Sequence, residues 1–286
     1  MTTIVVTGAT GSVGGQVLAQ LAGTGVTVRA VGRDALTLGD AAARHQAQPV
    51  VADLTDPASL RAALDGADAA FLVFPSVAGD DAAPGTIAAL TAAVPRIVYL
   101  SAHGVPDSPD LADGAILASH ALLEQLIRKS ATEWTFLRAG GFATNTLGWA
   151  GQIRAGDELR WFGPRITRSL VHEADLAAVG VRALLDEGHD HAAYHLTGPA
   201  QLTQTAQLDT IAAVLGRPLR FVDLGPDGAA TTLFGAMPPE MARQLVRGQL
   251  AMADQPEPVT TEVERLTGRP ARPYAEWVRD HLADFR

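Results

Sequence analysis

A doubly wound α/β architecture follows from three features of the sequence. Strand-like and helix-like apolar patterns alternate through the first half, the connections between them are short, and a glycine-rich turn joins the first strand to the first helix. Such alternation is the pattern of a parallel sheet covered on both faces. Ile4, Val5 and Val6 make the first buried strand, and Val13, Val17, Leu18 and Leu21 mark one face of the helix that Gly23 and Gly25 stop. Further strands are expected at 27–31, 49–52, 69–73, 96–101 and 134–138. Helices fill the intervals: Asp56 and Pro57 cap and open one, Pro84 and Gly85 lead into another, and 119–129 carries Leu122, Leu123, Leu126 and Ile127 at helical spacing. The connections should be right-handed crossovers.

After Gly140 the pattern loosens. A strand at 193–196 ends in Thr197, Gly198 and Pro199, and 203–215, 239–250, 258–266 and 273–282 read as amphipathic helices, several opened by proline. The organisation expected is a Rossmann-type doubly wound parallel sheet over 1–140, followed by a smaller, mostly helical C-terminal substrate lobe over 141–286. Segments near 169–198 should return to complete the sheet, and the lobe should lie over its carboxyl edge.

The glycine turn explains the Rossmann-type expectation. Gly8 lets the chain leave the strand sharply, Gly11 removes a Cβ that would block a pyrophosphate, and Gly14 lets the helix pack close to the sheet. The phosphates then meet a helix N-terminus, whose free N–H groups favour an anion without a basic side chain. The spacing is Gly-x-x-Gly-x-x-Gly, looser than Gly-x-Gly-x-x-Gly, so strand and helix context carry much of the weight.

The second strand bears on which dinucleotide is taken. It ends Val31, Gly32, Arg33, with no carboxylate at the strand end, and a guanidinium grips a 2′-phosphate in a forked geometry; NADP is therefore expected over NAD. Asp34 follows directly and offers two competing roles, a partner for Arg33 or a ligand for the ribose of NAD. Asp53 is placed to reach an adenine with Leu54 packing on the ring, or else is a turn residue before the helix. Phe74 and Pro75 close the fourth strand at the edge where open sheets bind ligands, unless they only pack the loop.

Composition excludes several classes. A net charge of −9 and 5% aromatic residues leave neither a phosphate-binding surface nor a stacking platform for nucleic acid. Zero cysteines remove disulfides and thiolate chemistry and fit a cytoplasmic protein. The start at Met1 lacks the features of a signal peptide, and no apolar run approaches the ~20 residues that cross a bilayer, so no membrane partner is expected. A monomer or a homodimer acting on a small molecule fits the sequence equally well.

Several blocks resemble the NmrA-like branch of the atypical short-chain dehydrogenase/reductases. They are Thr7 to Gly15, Val31 to Arg33, Asp53 to Leu60, Trp134 to Phe142, His172 to Ala177, Tyr194 to Pro199 and Ala275 to His281, and they span nearly the whole chain. The resemblance implies NADPH held by Gly8, Thr10, Gly11, Val13, Arg33, Asp53 and Leu54; Ser12 and Gly14 in the same turn, and Phe74 and Pro75 at the strand end, complete the cofactor-binding residues expected. It embraces quinone reductases, reductases of small aromatic molecules and redox-sensing regulators, so it leaves enzyme and sensor open.

The expected catalytic stretch departs from the wider group. Where short-chain reductases carry Tyr-x-x-x-Lys, this chain has Ile116 and His120. The resemblance implies that His120 takes over proton work, as an imidazole can near neutral pH; the plain alternative is a partly exposed helix residue. Ser101 stands at the strand end where such enzymes place a substrate-orienting hydroxyl, and His103 follows on the same loop. A substrate wall is expected from Phe142, Asn145, Trp149, Trp161 and Phe162, whose aromatics are dense for this chain but equally suit packing. Phe234 and Met237 are read as a lid. His189, His191 and His195 lack a fixed ligand scaffold, so no metal is expected, and His172, Glu173 and Asp175 have no nucleophile elbow to serve. The reading is an NADPH-dependent reductase of a small aromatic or conjugated carbonyl, quinone or imine. The alternatives are a dinucleotide sensor without turnover and a redox-neutral isomerase or cyclase.

Overall fold

The computed structural model describes residues 2–112, 114–130, 132–251, 253 and 257–286. In chain order the elements are β1 (Thr3–Val6), α1 (Ser12–Leu21), β2 (Thr27–Gly32), α2 (Ala35–Arg44), β3 (Gln48–Val51), α3 (Arg61–Leu64), β4 (Ala69–Leu72), α4 (Ala83–Ala93), β5 (Arg96–Ala102), α5 (Ala115–Arg128) and β6 (Glu133–Ala139). There follow α6 (Ala150–Ala155), β7 (Glu158–Trp161), β8 (Thr167–Arg168), α7 (Glu173–Leu185), β9 (Ala192–Leu196), β10 (Leu202–Thr203), α8 (Gln204–Leu215), β11 (Arg220–Asp223), α9 (Gly225–Thr232), α10 (Pro239–Ala251), α11 (Glu262–Thr267) and α12 (Tyr274–Asp280).

Seven strands form one parallel sheet in the order β3-β2-β1-β4-β5-β6-β9. The order reverses between β1 and β4, the position at which an open α/β sheet binds ligands beyond its strand ends. Its strands read as continuous apolar runs because both faces are covered: Ile4, Phe71, Leu72, Val98, Tyr99 and Phe136 are buried. One cluster on the sheet gathers Leu72, Phe74, Ile87, Leu90, Tyr99, Leu123, Ile127 and Phe136, so that α4 and α5 bury their apolar faces together. On α7, Gly180 lies so near the sheet that a Cβ there would stand 2.6 Å from the Phe71 ring.

The chain divides into two compact units. The first comprises residues 1–139, 173–196 and 262–269, and the second 140–172, 197–261 and 270–286. The first unit therefore receives α7 and β9 and also α11, whose Arg265 lies 5.4 Å over the Tyr194 ring. In the second unit β7 pairs with β11 in parallel and β8 with β10 antiparallel, short strands absent from the helical reading of this region. Its interior holds two clusters, one around Trp149, Ile153, Ile211, Tyr274 and Trp277, the other around Phe162, Ile166, Ala230 and Val246.

The expected sheet strands fall within about two residues of those observed. Two helices do not. The one expected over 258–266 begins at Glu262, because the Thr260 N–H donates to the Thr197 hydroxyl (2.9 Å) and keeps the β-branched run 259–261 extended. The helix expected from 119 begins at Ala115, one turn earlier. Among the described residues no helix is long and apolar enough to cross a membrane.

Gly180→Ala is expected to destabilise the protein by about 1–3 kcal/mol through crowding of Phe71. Gly248→Ala, on an open face of α10 with nothing within 4 Å of the new Cβ, should stabilise it by up to about 1 kcal/mol through helix propensity. Urea unfolding of the three proteins measures both shifts.

Candidate active site

The site starts from the turn after β1. The Thr7 hydroxyl accepts the Val73 N–H (2.8 Å) and donates to the carbonyls of Val73 (3.1 Å) or Phe71 (3.3 Å), which fastens the turn to the exit of β4. Gly8 has φ +61°, and a Cβ on it would lie 2.8 Å from the Val73 Cβ. The Gly8 carbonyl accepts the Gly11 N–H (2.9 Å), and a Cβ on Gly14 would stand 2.1 Å from that same oxygen. Gly14 thus admits the close helix–turn packing, while Gly11 caps α1 without a side chain and the first helical turn holds no acidic residue. Thr10, Gly11 and Ser12 are exposed and Val13 is buried, so Val13 offers a ligand only its backbone. The result is a glycine-lined cradle at an uncapped helix N-terminus, which fits the pyrophosphate of a dinucleotide.

Arg33 stands exposed just past β2 and makes no hydrogen bond or ion pair among the described residues. Asp34 does not pair with it. It caps α2, with Oδ1 accepting the Thr37 N–H (2.8 Å) and hydroxyl (2.9 Å), bonds that hold its carboxyl below the usual range. Asp53 is similarly occupied within its own turn, its Oδ1 accepting the Thr55 N–H and hydroxyl (both 2.8 Å), and these lower its carboxyl. Leu54 is half-buried against the sheet cluster. Phe74 is buried in the same cluster, its ring so near Gly79 that a Cβ there would lie 2.9 Å away; Pro75 is exposed.

The loop that leaves β4 runs onto α5. Ser119 is buried on α5; its hydroxyl donates to Asp80 Oδ1 (2.5 Å) and accepts the Val77 N–H (3.0 Å). Val77 itself adopts φ +68°, a left-handed conformation that costs a β-branched residue about 1–3 kcal/mol and persists only where neighbours hold it. This pinned loop sets the Ser76 hydroxyl 3.5 Å from His120 Nε2. On the ring's other side the Tyr99 hydroxyl is 2.5 Å from Nδ1. Burial pushes the His120 imidazole below its ordinary 6.5, against an opposing pull from the Glu124 and Asp80 carboxylates. Burial also holds the Tyr99 phenol well above 10, keeping it protonated, while a hydrogen bond from Ser76 acts the other way.

Ser101 has a different role from the one its strand-end position suggests. It is 2% exposed, and its hydroxyl donates to Glu124 Oε1 (2.7 Å), so it is not presented to a substrate. Glu124 is buried and also accepts Arg138 through both oxygens (2.9 and 2.6 Å) and Arg128 (3.0 Å). His103 lies edge-on to His195, ring centroids 5.2 Å apart, with its Nδ1 buried and without a partner among the described residues.

The expected substrate wall lies in the second unit. Trp149 and Phe162 are enclosed in its two clusters, in edge and stacked contact with the half-buried Trp161; Phe142 is half-buried and Asn145 exposed. Phe162 is 0% exposed and so has no surface for a ligand in this arrangement. Phe234 packs on Phe162 with centroids 6.2 Å apart, and Met237 is exposed. Three other histidines go separate ways: His189 bonds the Tyr194 hydroxyl (2.9 Å), His191 pairs with Asp190 (2.8 Å) and His172 with Asp280 (3.3 Å).

Tyr99, Ser76, Asp80, Ser119 and Glu124 escaped the sequence reading. A signal for two of them was present. Tyr99 and Ser101 are two apart on a strand, His120 and Glu124 four apart on a helix, and each pair shares one face of its element.

A model of the NAD(P)H-binding family matches residues 8–187. The chain belongs to the NAD(P)H-binding family. A (4-alkanoyl-5-oxo-2,5-dihydrofuran-3-yl)methyl phosphate reductase of Streptomyces griseus is 37% identical over 284 residues, covering 99% of each chain. An NAD(P)H azoreductase of Xenophilus azovorans is 33% identical over 287 residues, again covering 99% of each. The solved NADPH-dependent quinone oxidoreductase of Escherichia coli, complexed with NADPH, matches with a TM-score of 0.80 at 23% identity, over 98% of this chain and 99% of that one. Triphenylmethane reductase of Citrobacter sp. with NADP(H) matches with 0.80 at 20% identity, over 97% and 99%. These two likenesses carry the fold, and the NmrA-like resemblance agrees with all four. As a member of the NAD(P)H-binding family with reductase relatives along its full length, the chain is an NAD(P)H-dependent oxidoreductase.

The depressed imidazole makes His120 a reporter. Its NMR titration midpoint should fall below 6.5, and the folded state should lose stability as the pH drops from about 6.5 toward that midpoint, where the unfolded chain binds the proton and the folded ring does not. His120→Asn should flatten this part of the stability–pH curve; an unchanged curve would contradict the depressed value.

Proposed function

We propose that the protein is an NADPH-dependent reductase of small, conjugated electrophiles with a polar acceptor atom: carbonyls, quinones, imines or azo compounds. The observation that carries this reading is the continuity within one unit from the glycine cradle, through Thr7 and the exit of β4, to His120. The first unit thus joins a place for the dinucleotide to a titratable donor. The near relatives named as reductases, of an oxo-dihydrofuran phosphate and of azo compounds, support this substrate range.

Preference for NADPH rests on Arg33. Its guanidinium makes no hydrogen bond or ion pair among the described residues at the end of β2, and the carboxylates near it are engaged elsewhere, Asp34 in capping α2 and Asp53 in its own turn with Thr55. Such a cation pairs with a 2′-phosphate, whereas a ribose 2′-hydroxyl would find no free carboxylate at the strand end. Gly8 and Gly14 let the turn close tightly against Val73 and the start of α1, Gly11 leaves its mouth without a side chain, and the N–H groups at the start of α1 face the pyrophosphate.

Bound in this cradle, reduced nicotinamide supplies a hydride from C4. Hydride arrival at the substrate's electrophilic atom leaves negative charge on the conjugated oxygen or nitrogen. His120 stabilises that charge, and a proton from the ring or from water completes the reduction. Ser101, tied to Glu124, secures α5 rather than touching substrate. A dinucleotide-sensing role is the second reading, favoured by the absence of the Tyr-x-x-x-Lys pair, with Ile116 and His120 in its place.

Titration with the four dinucleotides, followed by absorbance at 340 nm in the presence of a panel of quinones, enones, imines and azo dyes, tests the reading. Tight NADPH binding with oxidation by a panel member is expected; equal affinity for NADP and NADPH with no oxidation would favour the sensor. Arg33→Ser should weaken NADPH at least tenfold and leave NADH within about twofold, the loss of one charge-assisted pair, ~1.5–3 kcal/mol.

A further inference from the structure

The reading of His120 as the group that meets the reduced substrate leaves open which ring nitrogen carries the proton. We propose that the Tyr99 hydroxyl holds His120 as its Nε2–H tautomer, so that the ring meets the substrate's acceptor atom as a hydrogen-bond donor through Nε2, beside the Ser76 hydroxyl. Tyr99 is then a positioning residue, and the inference rests on the proposed role of His120.

Hydrogen-bond supply around a buried phenol fixes the tautomer. Tyr99 is 0% exposed, so its O–H must find an acceptor within the protein. The carboxylates whose charge reaches it are both engaged: Asp80 Oδ1 by the Ser119 hydroxyl and the Val77 N–H, and Glu124 by Ser101, Arg128 and Arg138. The Ser76 hydroxyl serves the phenol as a donor, the sense in which it opposes the effect of burial there, so His120 Nδ1, at 2.5 Å, is the acceptor in reach. When Nδ1 accepts, the neutral ring carries its hydrogen on Nε2.

The surroundings of Nε2 suit a donor kept for a ligand. Its contact with Ser76 Oγ, at 3.5 Å, is long for a hydrogen bond, so an incoming oxygen or nitrogen displaces little. The left-handed backbone at Val77, pinned by Asp80 and Ser119, fixes Ser76 at that distance. A neutral imidazole N–H polarises an acceptor without giving up its proton, and its bond strengthens as hydride transfer builds negative charge there. Water then supplies the proton, leaving hydroxide in solution and the ring unchanged. The depressed proton affinity of His120 agrees with a ring that stays neutral through the cycle.

The test uses the full-length protein labelled with 15N on histidine. Long-range proton–nitrogen spectra at pH 7.5 should show His120 with Nε2 protonated and Nδ1 bare, and Tyr99→Phe should turn the ring toward a mixture of tautomers. With NADPH and 1,4-naphthoquinone, Tyr99→Phe should lower kcat at least fivefold and leave the KM for NADPH within about twofold. A wild-type spectrum with the proton on Nδ1, or a Tyr99→Phe variant with unchanged tautomer or unchanged kcat, would overturn the inference. His120→Ala separates the two levels. Wild-type turnover in that variant removes the proposed role of His120 itself, whereas slow His120→Ala with unimpaired Tyr99→Phe removes only the positioning by Tyr99. The spectrum of the wild-type protein decides the tautomer without any turnover.

Discussion

The bonds from Thr7 to the exit of β4 are what the candidate site depends on. Neighbouring parallel strands β1 and β4 diverge in the chain's path, since β1 leads outward to β2 on one side and β4 leads outward to β5 on the other. Without a tie, the two exits would be independent loops. The hydroxyl of Thr7 bonds both backbone groups of Val73, and the space left beside the Val73 side chain admits only a glycine at position 8. The phosphate cradle and the loop bearing Ser76 are thereby two ends of one rigid construction.

A second agreement of geometry places the titratable group. Two residues along a strand advance ~6.6 Å, and four along a helix ~6 Å, so paired side chains can match across a strand–helix packing. β5 and α5 use this match twice, Tyr99 meeting His120 and Ser101 meeting Glu124. The second pair is ionic and buried with Arg138, so sliding α5 along the sheet would leave a carboxylate and a guanidinium unpaired out of water, at a cost of several kcal/mol. The register of His120 is thus enforced by a neighbour that takes no part in the chemistry.

Much of this was legible in the residues themselves. Apolar runs mark both faces of the sheet as covered, and the glycines announce the turn, because both signals are local and tied to backbone geometry. Arg33 and His120 stand out as candidates by position alone. Ser101 shows where such reading stops: it is a polar residue at a strand end, and only the fold reveals that Glu124 already occupies it, whereas for Asp53 the turn role was one of the two readings its sequence offered. The same limit applies to Trp149 and Phe162, whose aromatic density reads alike whether it lines a cavity or fills a core. In the second unit, strands of two to four residues pair with partners tens of positions away, too short for any periodicity to show.

The seven-stranded sheet is completed late in the chain. β9 lies beside β6 but follows it by more than fifty residues, with an entire stretch of the second unit threaded between them. A nascent chain that has emerged only as far as Ala139 therefore ends in a bare sheet margin, with Thr135, Phe136 and Leu137 offering unsatisfied backbone groups amid apolar side chains. During that interval the half-made sheet is an adhesive template for any extended peptide nearby, including another copy of itself. The motif-bearing N-terminal half is consequently a poor candidate for life as an isolated fragment, and the two interleaved units must mature together.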